Sequence, residues 1–167
     1  MRLLDEIEAA IPALRRYARA LVRSADAADD LVQDCLERAV ARRQSWRGDG
    51  PLQAWLFRIL LNCHRDNLRR QPDAGHLVAV DEAGAETSRP GNQDASLALA
   101  EVRLAIDRLP VDQRRALLLV VLEGMTMQQA ALVLEIPEGT LMSRVGRARE
   151  ALRLMTDRGG NGKGLKA

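Results

Sequence analysis

The sequence predicts an all-α protein made of two small helical units joined by a flexible acidic linker. Three observations carry this. Apolar residues make up 47% of the 167 residues but aromatics only 2%, so Leu, Ala and Val must fill the core, which suits slender helix bundles better than sheets. Apolar positions recur three and four residues apart along most of the chain, the period of a helix with one buried face. Between two such regions, residues 73–95 hold one basic and five acidic residues and Pro90. Their polarity and missing helical period predict a linker rather than core.

The first unit, 1–72, reads as at least three helices. Leu3, Ile7, Ile11, Leu14, Ala18 and Leu21 share one face, and Pro12 predicts a boundary or kink within that stretch. "SADAADDLVQDCLERAVARR" then offers Ser24 or Asp26 as an N-cap with acidic residues in the first turn. Its apolar face is Val32, Cys35, Leu36, Ala39 and Val40. The turn "RGDGP" puts Pro51 at the first position of a third helix, which Gln71-Pro72 stops. Leu52, Trp55, Leu56, Ile59, Leu60 and Cys63 form its inward arc.

The second unit, 96–155, starts from a cap at Asp94 or Ser96 and carries a stripe of Leu99, Val102, Ile106 and Leu109 up to Pro110. "VDQRRALLLVVLE" is a nearly all-apolar helix closed by Gly124. Thr126 and Gln129 have capping-box spacing and open a short helix to about Leu134. "EIPEGT" is a turn, and a last helix from Pro137 buries Leu141, Val145, Ala148 and Leu152. Residues 156–167 are expected to form a disordered tail.

Several function classes are set aside at this point. A formal net charge of +2 excludes a histone-like polycation while allowing a local basic face. Cys35 and Cys63 lack metal spacing and lie in apolar stripes, as small core residues of a reducing compartment do. His64 and His76 make no metal pair, so no metal or cofactor is expected. No apolar run reaches membrane length, and the acidic N-terminus is no signal peptide; a cytoplasmic protein without membrane insertion is expected. There is no glycine-rich phosphate loop and no nucleophile with a placed base, so no catalytic residue is assigned.

Three surfaces remain. On the last helix Thr140, Ser143, Arg144 and Arg147 fall at i, i+3, i+4 and i+7, opposite the buried stripe. With the short capped helix before it this makes a helix-turn-helix, and hydroxyls and guanidinium groups are readers of base edges and phosphates. Arg149 and Arg153 flank the stripe as phosphate grips. On the third helix Arg58, Asn62, Arg65 and Arg69 make a polar-basic stripe, and on the second Asp30, Gln33, Asp34 and Glu37 make an acidic one. By pattern alone each of these two is either a solvated face or a docking surface; the acidic one would repel DNA and meet a protein.

Together these stretches resemble the extracytoplasmic-function (ECF) sigma factors of the bacterial sigma-70 family, over about residues 9–72 and 96–153. "ADDLVQDCLERA" is similar to their core-polymerase-binding helix, and "WRGDGPLQAWLFRILLNCHRDNLRRQ" to the segment that recognises and melts the minus-ten element. "LPVDQRRALLLVVLEGMTMQQAALVLEIPEGTLMSRVGRAREALR" is similar to the minus-thirty-five module. "IPALRRYARALVRSADAADDLVQD" also resembles the alphaproteobacterial general-stress-response subgroup.

The resemblance implies a sigma2-like bundle, a sigma4-like helix-turn-helix domain and the following roles. Asp30, Gln33, Asp34 and Glu37 would dock on the coiled coil of the polymerase's largest subunit, the second unit on its flap. Asn62 would lie near a loop that captures a flipped minus-ten base, with Arg58, Arg65 and Arg69 along the displaced strand. Thr140, Ser143, Arg144 and Arg147 would read the minus-thirty-five element. The linker would thread through the polymerase, and an anti-sigma factor, a small helical protein, would hold the protein inactive. Met142 and Cys63-His64 depart from the family's usual residues, which puts one upstream contact and the exact base preference outside the inference. The competing readings are a sigma mimic that sequesters an anti-sigma factor without touching DNA, and a repressor using the second unit alone. Mimics usually carry a receiver domain, for which this chain has no room.

Overall fold

The computed structural model describes residues 2–71 and 93–160. The linker expected at 73–95 lies almost wholly outside them, as do His76 and residues 161–167. The first unit contains α1 (Leu3–Leu21), α2 (Ala25–Ala41), a 3₁₀ turn at Arg43–Ser45 and α3 (Leu52–Arg70). The second contains α4 (Gln93–Asp107), α5 (Val111–Val121), α6 (Met127–Leu134) and α7 (Glu138–Gly160).

Helix starts follow local chemistry. The Ser24 side chain accepts from the Ala27 N–H at 3.3 Å, so Ser24 rather than Asp26 caps α2. Pro51 stands just before α3 as its N-cap, one position earlier than expected. The capping box at α6 is complete: Gln129 N–H donates to Thr126 Oγ1 at 3.1 Å and Thr126 N–H to Gln129 Oε1 at 3.0 Å. Gly124 ends the α5 segment at φ +66°, a left-handed conformation that costs glycine little.

Four expectations need correcting. α1 runs unbroken through Pro12. Pro12 and Glu8, the residue whose carbonyl loses its partner, are both exposed, so solvent replaces the missing bond and no break follows. α4 begins at Gln93, which places Asp94 and Ser96 inside the helix rather than at its cap. Its stripe is only half used: Leu109 is buried, but Leu99 and Val102 are 72% and 40% exposed. α7 continues to Gly160, past the position 155 at which the second unit was expected to end.

The core of the first unit is Leu14, Tyr17, Leu21, Leu31, Cys35, Leu56, Leu60 and their neighbours, and that of the second is Ala116, Leu119, Ala130, Leu134, Leu141, Val145 and Ala148. The two units are packed together, α1 against α5 and α3 against α6. This arrangement decides which candidate site residues face solvent.

Candidate nucleic-acid and polymerase interfaces

The helix-turn-helix is α6, a turn and α7. Glu135 ends α6 with φ 57°, a left-handed conformation that costs a non-glycine residue about 1 kcal/mol. Burial of Leu141, Val145 and Ala148 turns the opposite face of α7 outward. Thr140, Ser143, Arg147 and Arg149 are exposed there, and Met142 lies beside them at 56% exposure. Arg144 is half-buried, with its Nη2 3.8 Å from Asp112 Oδ2. Arg153 is tied to Glu150 at 2.8 Å and to Asp157 at 3.5 Å.

On α2, Asp30, Gln33 and Glu37 are exposed and Asp34 is half-buried. Gln33 Nε2 donates to Glu37 Oε1 at 3.1 Å. Among the described residues no ion pair neutralises Asp30, Asp34 or Glu37, which leaves a band of negative charge. Arg38, on the same helix, instead meets Asp66 of α3 at 2.8 Å. That hydrogen bond holds the Asp66 carboxyl below its ordinary value.

The α3 stripe is engaged. Arg58 Nη2 donates to the Leu132 carbonyl at 2.9 Å, and its Nε lies 3.5 Å from Glu135 Oε1. Arg65 Nη2 donates to the Leu134 carbonyl at 3.4 Å. These carbonyls end α6, where the helix dipole is negative and the last oxygens lack intrahelical partners. Asn62 is half-buried between the two arginines, and only Arg69 is exposed.

Six further residues, unremarked as functional in the sequence, hold the units together. The buried Tyr17 hydroxyl donates to the Arg115 carbonyl at 3.0 Å, and its ring meets Phe57 edge-on at 5.2 Å. Arg115 Nη2 lies 2.9 Å from His64 Nδ1, with His64 6% and Arg115 5% exposed. A guanidinium only donates, so His64 accepts at Nδ1 and carries its proton on Nε2. Burial, helped by Arg115 and Arg114, pushes the His64 pKa down to about 4. Arg114 donates to the carbonyls of Ile106, Asp107 and Leu109, which close α4, and to that of Leu21 at the end of α1. Arg16, itself exposed, clamps the buried Glu123 carboxylate through two bonds of 3.2 and 2.7 Å. A positive pair in the first turns of α5, against the helix dipole, was the signal in the sequence.

Cys35 and Cys63 are free and buried, and burial pushes the Cys35 thiol up to about 12. Among the described residues no group of three metal-ligating side chains gathers, and no helix is long and apolar enough to cross a membrane.

Two family models match this layout: "Sigma2 domain of PhyR" over residues 7–61 and "Sigma-70, region 4" over 99–152. The chain is 44% identical to the ECF RNA polymerase sigma factor EcfG of Rhodopseudomonas palustris over 152 residues, 90% of this chain and 82% of that one. The chain belongs to the ECF RNA polymerase sigma factors. Such factors direct RNA polymerase to promoters and are not enzymes. This sigma factor is also 34% identical to the sigma-E factor of Escherichia coli K12, over 74% of its own length and 70% of that protein's. Among solved structures it resembles the sigma factor RpoE of Bartonella quintana, crystallised with the anti-sigma factor NepR. There the TM-score is 0.76 at 33% identity, covering 92% of this sigma factor and 95% of that chain. It also resembles the PhyRSL–NepR complex of Sphingomonas sp. Fr1, with TM-score 0.64 and 27% identity over 92% and 88% of the two chains.

Proposed function

We propose that the surfaces of this sigma factor divide initiation among them. The acidic face of α2, Asp30, Gln33, Asp34 and Glu37, docks on the coiled coil of the polymerase's largest subunit, and the second unit on the flap. Thr140, Ser143, Arg144, Arg147 and Arg149 read and grip the minus-thirty-five element. Arg58, Asn62, Arg65 and Arg69 hold the separated minus-ten strand. The observation that carries this reading is the outward face of α7, where hydroxyl and guanidinium groups cluster opposite a buried Leu141–Val145–Ala148 stripe. The likeness to EcfG supports a stress-response promoter set, and the likeness to sigma factors solved with anti-sigma partners supports control by an anti-sigma factor in the cytoplasm.

A second reading is a sigma mimic that sequesters an anti-sigma factor. The match of residues 7–61 to the sigma2 domain of PhyR favours it, since PhyR of Bartonella quintana is named an anti-anti-sigma factor. Transcription by purified core polymerase from a pooled promoter library decides between them. Start sites that appear only with this protein, and vanish with Asp34→Arg while binding of the variant to double-stranded promoter DNA persists, establish the initiation factor. Absence of start sites from folded protein that binds an anti-sigma factor establishes the mimic.

A further inference from the structure

Helix α2 carries five carboxylates and one cation, Arg38, while α3 carries four arginines and one carboxylate, Asp66. Each of these odd residues has a partner at hand on its own helix. Asp34 stands four positions before Arg38, and Arg69 and Arg70 stand three and four positions after Asp66. Acid before base at these spacings is the pairing that helices favour. Among the described residues none of the three ion pairs forms. Arg38 Nη1 instead donates to Asp66 Oδ2 across the α2–α3 packing at 2.8 Å.

The bond takes the one cation off the acidic helix and the one carboxylate off the basic helix. The Arg38 hydrogen bond is the largest influence holding the Asp66 carboxyl down, ahead of the charges of Arg70 and Arg69. The Asp66 hydrogen bond is likewise the largest influence raising the Arg38 guanidinium, and the Asp34 charge is the smallest. Both partners are about one-third exposed, at 33% and 37%, and a pair so placed adds little to folding. Its effect on the charge of the two faces is larger. A released Arg38 has Asp34 as its nearest acid along α2 and would cancel one of the three charges of Asp30, Asp34 and Glu37. A released Asp66 would cancel one charge of Arg69 or Arg70.

We propose that the Arg38–Asp66 bond is a charge-sorting pair, which keeps the α2 face acidic for the polymerase and the end of α3 basic for the DNA strand. Arg38 and Asp66 are then positioning residues that touch neither partner. This rests on the docking roles proposed above for α2 and α3. An acidic face attracts a basic partner surface over roughly 10 Å at 0.1 M salt, so one charge in three is felt in affinity and in its salt dependence.

The test uses the full chain in two assays: titration of purified core polymerase without DNA, and promoter opening by holoenzyme formed at saturating sigma factor. Asp66→Asn frees Arg38 and should weaken polymerase binding about three- to tenfold and flatten its salt dependence, with promoter opening at the parent rate. Arg38→Gln frees Asp66 and should leave polymerase binding at the parent value, while promoter opening slows about threefold. The double variant has no stray charge on either helix and should return both readings toward the parent. Asp66→Ser stands in if Asp66→Asn does not fold. A merely structural brace would give equal losses for both single variants in both assays, with no recovery in the double; that outcome overturns the sorting pair. Asp34→Asn separates this idea from the docking role of α2. Weakened polymerase binding by Asp34→Asn, with none by folded Asp66→Asn, removes the sorting pair alone. Unchanged binding in both removes the docking role with it.

Discussion

The face of α7 and the face of α3 carry similar residues and stand in opposite situations. Each is a helix with arginines on one face beside a buried apolar arc. On α7 the burial of Leu141, Val145 and Ala148 leaves Thr140, Ser143 and Arg147 in solvent. On α3 the arginines meet carbonyls of the other unit at 2.9 and 3.4 Å. A basic stripe therefore reports only that its cations need partners. Whether those are phosphates or the end of a helix depends on the packing of the whole chain.

The largest expected effect breaks the α3 contact and spares α7. His64 is held neutral, with its pKa lowered from 6.5 to about 4. Its charged form is faced by Arg115 and Arg114 of α5, and Asp112 reaches Arg115 at 3.5 Å. Once the chain unfolds, the imidazole regains its ordinary affinity for a proton. The depressed value means that the unfolded state binds more protons between these limits. This contribution to stability is therefore fully present above about pH 6.5 and is lost as pH falls toward 4, by roughly 3 kcal/mol in all. Thermal melting followed from pH 7 to 4 should shift downward, and the His64→Leu, Arg115→Met variant should lose the part of that response that lies between 6.5 and 4.

Next in size is the loss of one reader on α7. Arg144→Ala should weaken double-stranded promoter binding by about 1–3 kcal/mol and relax selection at one upstream base pair, measured by titration against singly substituted minus-thirty-five elements. Its wild-type partner Asp112 is 3.8 Å away and 55% exposed, so releasing Arg144 to DNA costs little. Polymerase binding should not change, because α2 carries that surface in the proposed reading.

Local rules made most of the helices legible. Ser24, the Thr126–Gln129 box and Gly124 act within a few residues, and their spacing is the mechanism. The apolar arc of α3 and the stripe of α7 were legible for the same reason. Pro12 misled because a proline breaks a helix only when the lost bond has no replacement, and solvent supplies one there. Leu99 and Val102 misled because a helical period shows that a face is apolar, not that something covers it. The Tyr17–His64–Arg115 contacts span 51 and 98 positions of sequence. No spacing rule reaches that far, although paired arginines opening an apolar helix were a local anomaly worth explaining.

Smaller effects sharpen the picture of the helix-turn-helix. Thr126→Ala removes the hydroxyl that accepts from Gln129 N–H, and should lower stability by about 1 kcal/mol, seen as a drop of a few degrees in thermal melting. The smallest effect concerns Arg153. Its sequence position beside Arg149 suggested a phosphate grip, but its guanidinium already bridges Glu150 and Asp157 on the surface of α7. To reach DNA it must leave two carboxylates that would themselves stay near the phosphates. Exposed pairs of this kind contribute little to folding. Arg153→Ala should therefore change both promoter affinity and stability by less than about 0.5 kcal/mol, while Arg149→Ala, with no such pair among the described residues, reduces affinity and flattens its salt dependence. If Arg153→Ala instead matched Arg149→Ala in the slope of affinity against salt, the ion pairs would be exchanged for phosphate on binding, and the α7 surface would extend a turn further than its exposed readers indicate.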